Sequence, residues 1–249
     1  MRLTKKHLAA AAIATAGAGA LAAVPFASAD NNGNGPTRSY EITIENTTEG
    51  QPLTPPVVAT HRGRNAIFKV GRPASEQVKE IAENGNNAPL VAALSGSHRV
   101  SDVYEGSAPL VPDALPGGAT FDDSVTFTIE ADRGHRRVSW QSMLICSNDG
   151  FTGLNGLRLP RGVGHSTVVS TQAYDAGTEA NTEDFGDIVP PCQGLSGVSG
   201  DPGTGASDPA LATNFRISHH PGISGRRDLL TDVHGFTNPV AKVTVTRVG

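Results

Sequence analysis

Asp175 and Glu179 stand four residues apart around a glycine, in the run Tyr174-Asp175-Ala176-Gly177-Thr178-Glu179. This run closes a strand-like stretch, Ser166 to Ala173. A strand ending in this way becomes a tight loop rich in oxygen, and hard cations such as Ca²⁺ bind where carboxylate and carbonyl oxygens converge. Upstream, Ser147-Asn148-Asp149-Gly150 also follows a strand-like run. If the two loops meet, Asp149, Asp175 and Glu179 share one Ca²⁺ site. Asn181 and Glu183 are close enough in sequence to add a ligand or a supporting hydrogen bond. The plainer alternative is that Asp175 and Glu179 only cap turns, a common use of such residues.

The elements that must position these loops read as strands. Tyr40-Glu41-Ile42-Thr43-Ile44-Glu45 alternates apolar and polar residues, as do Val125-Thr126-Phe127-Thr128-Ile129 and Val243-Thr244-Val245-Thr246. Strict alternation marks half-buried strands. Val138 to Cys146 and Thr167 to Tyr174 are longer and more apolar, which suggests inner strands. One segment reads as helix: Pro73 at the entry, Ala74, Val78, Ile81 and Ala82 on one face, and Asn84-Gly85 as the stop. A second short helix is expected over Pro89 to Leu94. These insertions leave the class all-β, with one or two short helices between strands. Gly194 to Pro209 reads as a long flexible loop, a kind that sometimes carries function.

Residues 1–29 read as an export signal, with Arg2, Lys5 and Lys6 before an alanine-rich apolar core and Ala27-Ser28-Ala29 as the cleavage pattern. Cleavage near Ala29-Asp30 would release a secreted, extracellular or periplasmic, chain. Residues 30–38 read as a disordered tail and 39–249 as one domain. The leader holds three of the 20 Lys+Arg and none of the 24 Asp+Glu, so the remainder has a formal charge of −7. That acidity argues against nucleic acid as a partner, and no membrane span is expected after the leader. Cys146 and Cys192 are the only cysteines, and in an oxidising compartment one disulfide is the economical reading. A monomer is expected.

Other chemistries are weaker. His219, His220 and His234 could supply a zinc site, but adjacent histidines on a strand point to opposite faces. Gly164-His165-Ser166 lacks the second glycine of a hydrolase elbow. Trp140 sits in an apolar run and is expected in the core, not on a sugar platform. Asn46-Thr47-Thr48 is a glycosylation sequon. Arg62, Arg64 and Arg72, then Arg133, Arg136 and Arg137, are two basic groups that read as solvated turn charge; adjoining, they could hold acidic glycans.

These residues, taken in order, resemble the spondin domain, the module near the N-terminus of F-spondin-like matrix proteins. Its carriers are Tyr40-Glu41-Ile42-Thr43-Ile44, the helix Ala74 to Gly85, Asp175-Ala176-Gly177-Thr178-Glu179 and Asn238-Pro239-Val240-Ala241-Lys242-Val243-Thr244-Val245. The resemblance spans about Tyr40 to Gly249. It implies an antiparallel β-sandwich similar to C2 domains, with a calcium ion held at one end by three aspartates. Carried over, these fall on Asp149, Asp175 and Glu179, the last departing from the pattern as Glu in place of Asp. An antiparallel meander of Val138–Cys146, Leu154–Leu159 and Thr167–Tyr174 would bring both acidic loops to one edge. The function implied is non-catalytic binding or adhesion to an extracellular protein or glycan. The rival reading is a secreted metal-dependent hydrolase using the acid cluster or His219 and His220.

Overall fold

The computed structural model describes residues 37–63 and 67–249. The expected leader, most of the expected tail and Arg64 lie outside the described residues. The strands are β1 (Arg38–Asn46), β2 (Val57–His61), β3 (Val100–Glu105), β4 (Ser124–Ala131), β5 (Arg137–Met143), β6 (Gly150–Arg158), β7 (Ser166–Thr171), β8 (Ala173–Asp175), β9 (Ser218–His219) and β10 (Ala241–Arg247). Four short helices are α1 (Glu76–Asn84), α2 (Ala88–Ser95), α3 (Pro191–Ser196) and α4 (Thr231–His234). Arg38, placed in the tail by the sequence, is already paired with Ala131.

All pairings are antiparallel, in two sheets of order β4-β1-β10-β7 and β3-β2-β5-β6-β8-β9. The expected all-β sandwich is what forms. Alternation does the work in the smaller sheet: Tyr40, Ile42 and Ile44 of β1 and Val243 and Val245 of β10 point into the core, while Glu41, Thr43 and Glu45 point out. They meet Val58, Val138 and Trp140 of the larger sheet. Each fully buried side chain of this size contributes about 1.5–3 kcal/mol. Trp140 is in the core, as its sequence context suggests.

The larger sheet is covered on its outer face too. Val57, next to Val58, turns the other way and packs with Ile81, Leu90, Met143, Ile145 and Phe185. The helices and loops therefore form a third layer, and β2 is buried along its whole length. α1 has Ser75 as its cap, accepting from the Val78 N–H, and Gly85 in the left-handed conformation as its stop. Its buried face is Val78, Ile81, Ala82 and Glu83.

The run expected as one inner strand, Thr167 to Tyr174, is divided between the sheets. β7 pairs with β10, and β8 pairs with β6. The step falls at Gln172, whose carbonyl accepts from Thr152 Oγ1 at 3.0 Å, while the Ala173 N–H donates to Asn238 Oδ1 at 2.7 Å. β7 is an edge strand with Val168 58% exposed, so it is not an inner strand. The expected meander survives through β5, β6 and β8, with β6 beginning at Gly150 and not at Leu154.

Candidate metal centre

The loop between β5 and β6 and the turn after β8 lie on the same rim. β6 opens with Gly150 paired to Asp175, the last residue of β8. Ser147 Oγ donates to the Leu144 carbonyl at 2.6 Å and accepts from the Gly150 N–H at 3.0 Å, which folds the first loop on itself. Asn148 and Asp149 then tie it to the second. Asn148 Oδ1 accepts from the Thr182 N–H at 3.0 Å. The Asp149 carbonyl accepts from the Ala176 N–H at 3.1 Å, and its Oδ2 accepts from the N–H groups of Thr178 and Glu179 at 2.8 and 3.1 Å.

The turn itself is capped by Asp175, whose Oδ1 accepts from the Gly177 N–H at 2.8 Å. Gly177 has φ +72, and a Cβ there would come within 2.8 Å of the Phe215 carbonyl carbon, so both conformation and space require glycine. Phe215 belongs to a strip that runs beside the turn: the Ala180 N–H donates to the Leu211 carbonyl, Thr213 N–H to Thr178 and Phe215 N–H to Gly177, at 2.8–2.9 Å. The segment after the flexible-looking loop is thus a cover over the acidic turn.

Electrostatics single out the buried members. Asp149 is fully buried, and its Oδ1 has no hydrogen-bond partner. Burial, and then the negative charge of Asp175, push Asp149 up to about 6. Glu179 is 6% exposed; burial, and then the charge of Glu83, push it up to about 8. Glu83 is the member that the sequence reading missed. It lies on the buried face of α1, its Oε1 is unpartnered, and its Oε2 is 3.9 Å from Lys79 Nζ. Glu76, Glu80 and Glu83 look alike in sequence, and only the position of Glu83 beside Ala82, at the flank of the apolar stripe, hints at its different fate.

Asp149, Asp175 and Glu179 are neighbours, yet they do not offer three ligand oxygens all within 4.8 Å of one another. Among the described residues the trio with metal-ligating atoms that close is Cys146, Cys192 and His234, through sulfur and nitrogen. Those cysteines form the expected disulfide, Cα to Cα 5.0 Å, which ties the residue 144–149 loop to α3. Asn181 Nδ2 donates to Asp175 Oδ2 at 2.6 Å, so it supports an acid. Glu183 does something else: its two carboxylate oxygens accept from the Ser224 and Arg226 N–H groups at 2.6 and 3.0 Å. Burial alone would raise Glu183, but these N–H donors outweigh it and hold it below the usual carboxylate range.

The three histidines do not converge. His219 is exposed and lies against Tyr174, ring centroids 5.4 Å apart. His220 is buried, with Nδ1 accepting from the Gly222 N–H at 3.0 Å and Nε2 unpartnered. Burial keeps it below its usual pKa despite the charges of Asp175 and Glu183. His234 is bonded to Ser196 through Nε2 at 3.1 Å. The clefts that stand out among the described residues are not lined by these histidines or by Asp149, Asp175 or Glu179. The sequon is closed off, since Asn46 is 5% exposed and its Nδ2 donates to the carbonyls of Gln51 and Leu110.

A family model described as Spondin_N matches residues 18–184, about two thirds of the chain. The chain belongs to the Spondin_N family. The matched span carries Glu83, Asp149, Asp175 and Glu179 and stops before β9, α4 and β10. A comparison with curated proteins found no match. Membership of the spondin family and the disulfide together indicate an extracellular type of module. Among the described residues no helix is long and apolar enough to cross a membrane.

Proposed function

We propose that this spondin domain is an exported, non-catalytic binding module whose acidic rim holds one Ca²⁺ through Asp149, Asp175 and Glu179, with Glu83 as a fourth carboxylate, the side chains drawing closer together on binding than they now lie. The observation that carries this reading is Asp149 Oδ1, a buried carboxylate oxygen without a donor in the field of Asp175 and Glu83. Burying an ionised carboxylate without a partner is strongly unfavourable. A proton or a cation removes the conflict, and a set of hard oxygen donors favours Ca²⁺ over softer metals. Asn181 would hold Asp175 in place through its 2.6 Å bond.

Bound Ca²⁺ would fix the residue 147–150 loop against the 175–180 turn and make that end of the sandwich a rigid surface for adhesion to an extracellular protein or glycan. The leader, residues 1–29, would carry the chain there. A competing reading rests on a different observation: both oxygens of Asp175 already accept hydrogen bonds, from Gly177 and Asn181, as in a simple turn cap. Melting temperature in Ca²⁺ and in chelator separates the two. A ligand at a hundred times its Kd adds about 2.7 kcal/mol. For a chain of this size that is a rise of about 5–10 °C. Asp149→Asn should show no rise. An unchanged wild-type melting temperature would reject the calcium site and leave a protonated capping cluster.

A further inference from the structure

At the other end of the same strands the charges reverse. β5 starts at Arg137 and β6 finishes at Arg158, and these two arginines are paired in register. Arg38 begins β1, Arg136 ends the β4–β5 turn, and Arg161 opens the β6–β7 turn. All five line one cleft of about 480 Å³, together with Gly63, Gly134 and the Leu159-Pro160 step. None of the five takes part in any salt bridge found among the described residues. Arg137 Nη1 donates to the Gly156 carbonyl. Arg136, Arg158 and Arg161 are exposed. Asp132, in the β4–β5 turn, lies 3.9 Å from His135 Nδ1.

The charges of Arg137 and of nearby Arg62 also bear on two histidines. Burial lowers His61, and the charge of Arg137 lowers it further; burial lowers His135, and Arg62 adds to that against the pull of Asp132. Five cations lining one cleft with no salt bridge among the described residues repel one another, and the fold tolerates this where solvent or a ligand supplies the anions. Guanidinium groups bind sulfate and carboxylate through paired N–H donors, and a concave wall strengthens the field inside it.

We propose that this arginine cleft binds an oligosaccharide bearing several sulfate or carboxylate groups. The cleft's aromatic residue, Tyr40, is 2% exposed, so it offers no platform on which nucleic-acid bases could stack. The pI of about 6.0 also lacks the basic footprint of a nucleic-acid-binding domain. A volume of 480 Å³ lies in the range of small-ligand clefts and calls for a chain threaded into it, not a flat bilayer. The site is independent of the calcium centre and of whether that centre exists.

The test is titration of the full chain with three oligosaccharides of equal length, one sulfated, one built from uronic acids and one neutral, with single-stranded DNA of equal charge as a fourth probe. Each is run in Ca²⁺ and in chelator. The sulfated or the uronic chain should bind in both buffers and weaken steeply with added salt; which of them binds identifies the anion. The pair Arg136→Ala/Arg158→Ala should weaken binding about tenfold or more, and Arg136→Lys/Arg158→Lys should fall between, because lysine keeps the charge and loses the planar fork. Melting temperature checks that both variants fold. Absence of binding by either charged oligosaccharide at low salt, binding untouched by the alanine pair, or equal or tighter binding of the DNA would each overturn the proposal.

Discussion

The two ends of this sandwich differ in how they handle like charge. At the β5–β6 loop, carboxylates are buried together, and Asp149 and Glu179 shift upward because burial and their neighbours resist ionisation. At the opposite end, about 20 Å away along a seven-residue strand, guanidinium groups stay at the surface around an open cleft. The difference follows from the elements. The acidic end is built from loops folded onto each other, with a disulfide, a helix and a covering strip pressing side chains out of solvent. The arginine end is built from strand termini and short turns, and Arg136, Arg158 and Arg161 are exposed there among the described residues. Buried like charge is an unstable state that a proton or metal ion relieves, whereas exposed like charge is a standing attraction for anions.

The disulfide belongs to the first end alone, so its removal should produce the largest effect and the sharpest contrast. Closing 45 intervening residues is worth about 3–4 kcal/mol in the chain-entropy account. Cys146→Ser/Cys192→Ser should therefore lower the melting temperature by about 6–16 °C. If the two ends are independent, binding at the arginine cleft measured below the new transition stays unchanged while the calcium response shrinks. A calcium response of full size in the double variant would break the link between the loop and the disulfide.

Acidity supplies the next contrast. Raised carboxylate pKa values mean that the fold holds protons more tightly than the unfolded chain does. The stability from Asp149 and Glu179 is then complete below about pH 4, and it is lost as pH rises through about 6 and about 8. In chelator, the urea midpoint should rise as pH is lowered from 9 to 6. Saturating Ca²⁺ should reverse the trend, because protons then compete with the metal. A metal-free midpoint that falls over the same interval would contradict the buried-acid assignment.

Glu183 sharpens the border of the acidic end. It clamps the Ser224 and Arg226 N–H groups, and its lowered pKa gives the opposite sign: stability present above about 4.5 and lost as pH falls. Glu183→Gln should cost about 1–2 kcal/mol at neutral pH, read by urea denaturation, and leave the calcium response intact. Loss of that response would return Glu183 to the metal site. The smallest effect is expected at the far end: Arg158→Ala should change stability by less than about 0.5 kcal/mol, since the side chain is exposed and makes no salt bridge among the described residues.

Much of this layout can be read from residue order. The alternation in β1, β4 and β10 is legible because each has one wet face, and the cap and stop of α1 are written in Ser75 and Gly85. β2 has no such pattern, since Val57 and Val58 are both buried, one under the helices and one between the sheets. The break at Gln172 is equally silent, because Thr171, Gln172 and Ala173 read as one continuous strand while Thr171 and Ala173 pair with different sheets. In the acidic site, Asp149 and Asp175 stand out by their loops. Glu83 does not, because only the packing of α1 decides which of its glutamates is buried. The arginine cleft is half legible: Arg136 and Arg137 are adjacent in sequence, but Arg38, Arg158 and Arg161 join them only through strand register.

Whether the buried acids form a cation site is decided by calorimetric titration of chelator-stripped protein with Ca²⁺ at pH 7. One saturable site per chain is expected, with proton release of up to about one per ion because Glu179 is largely protonated before binding. That signal should be lost in Asp149→Asn. No saturable heat at millimolar Ca²⁺, or an isotherm identical in Asp149→Asn, would contradict the cation site.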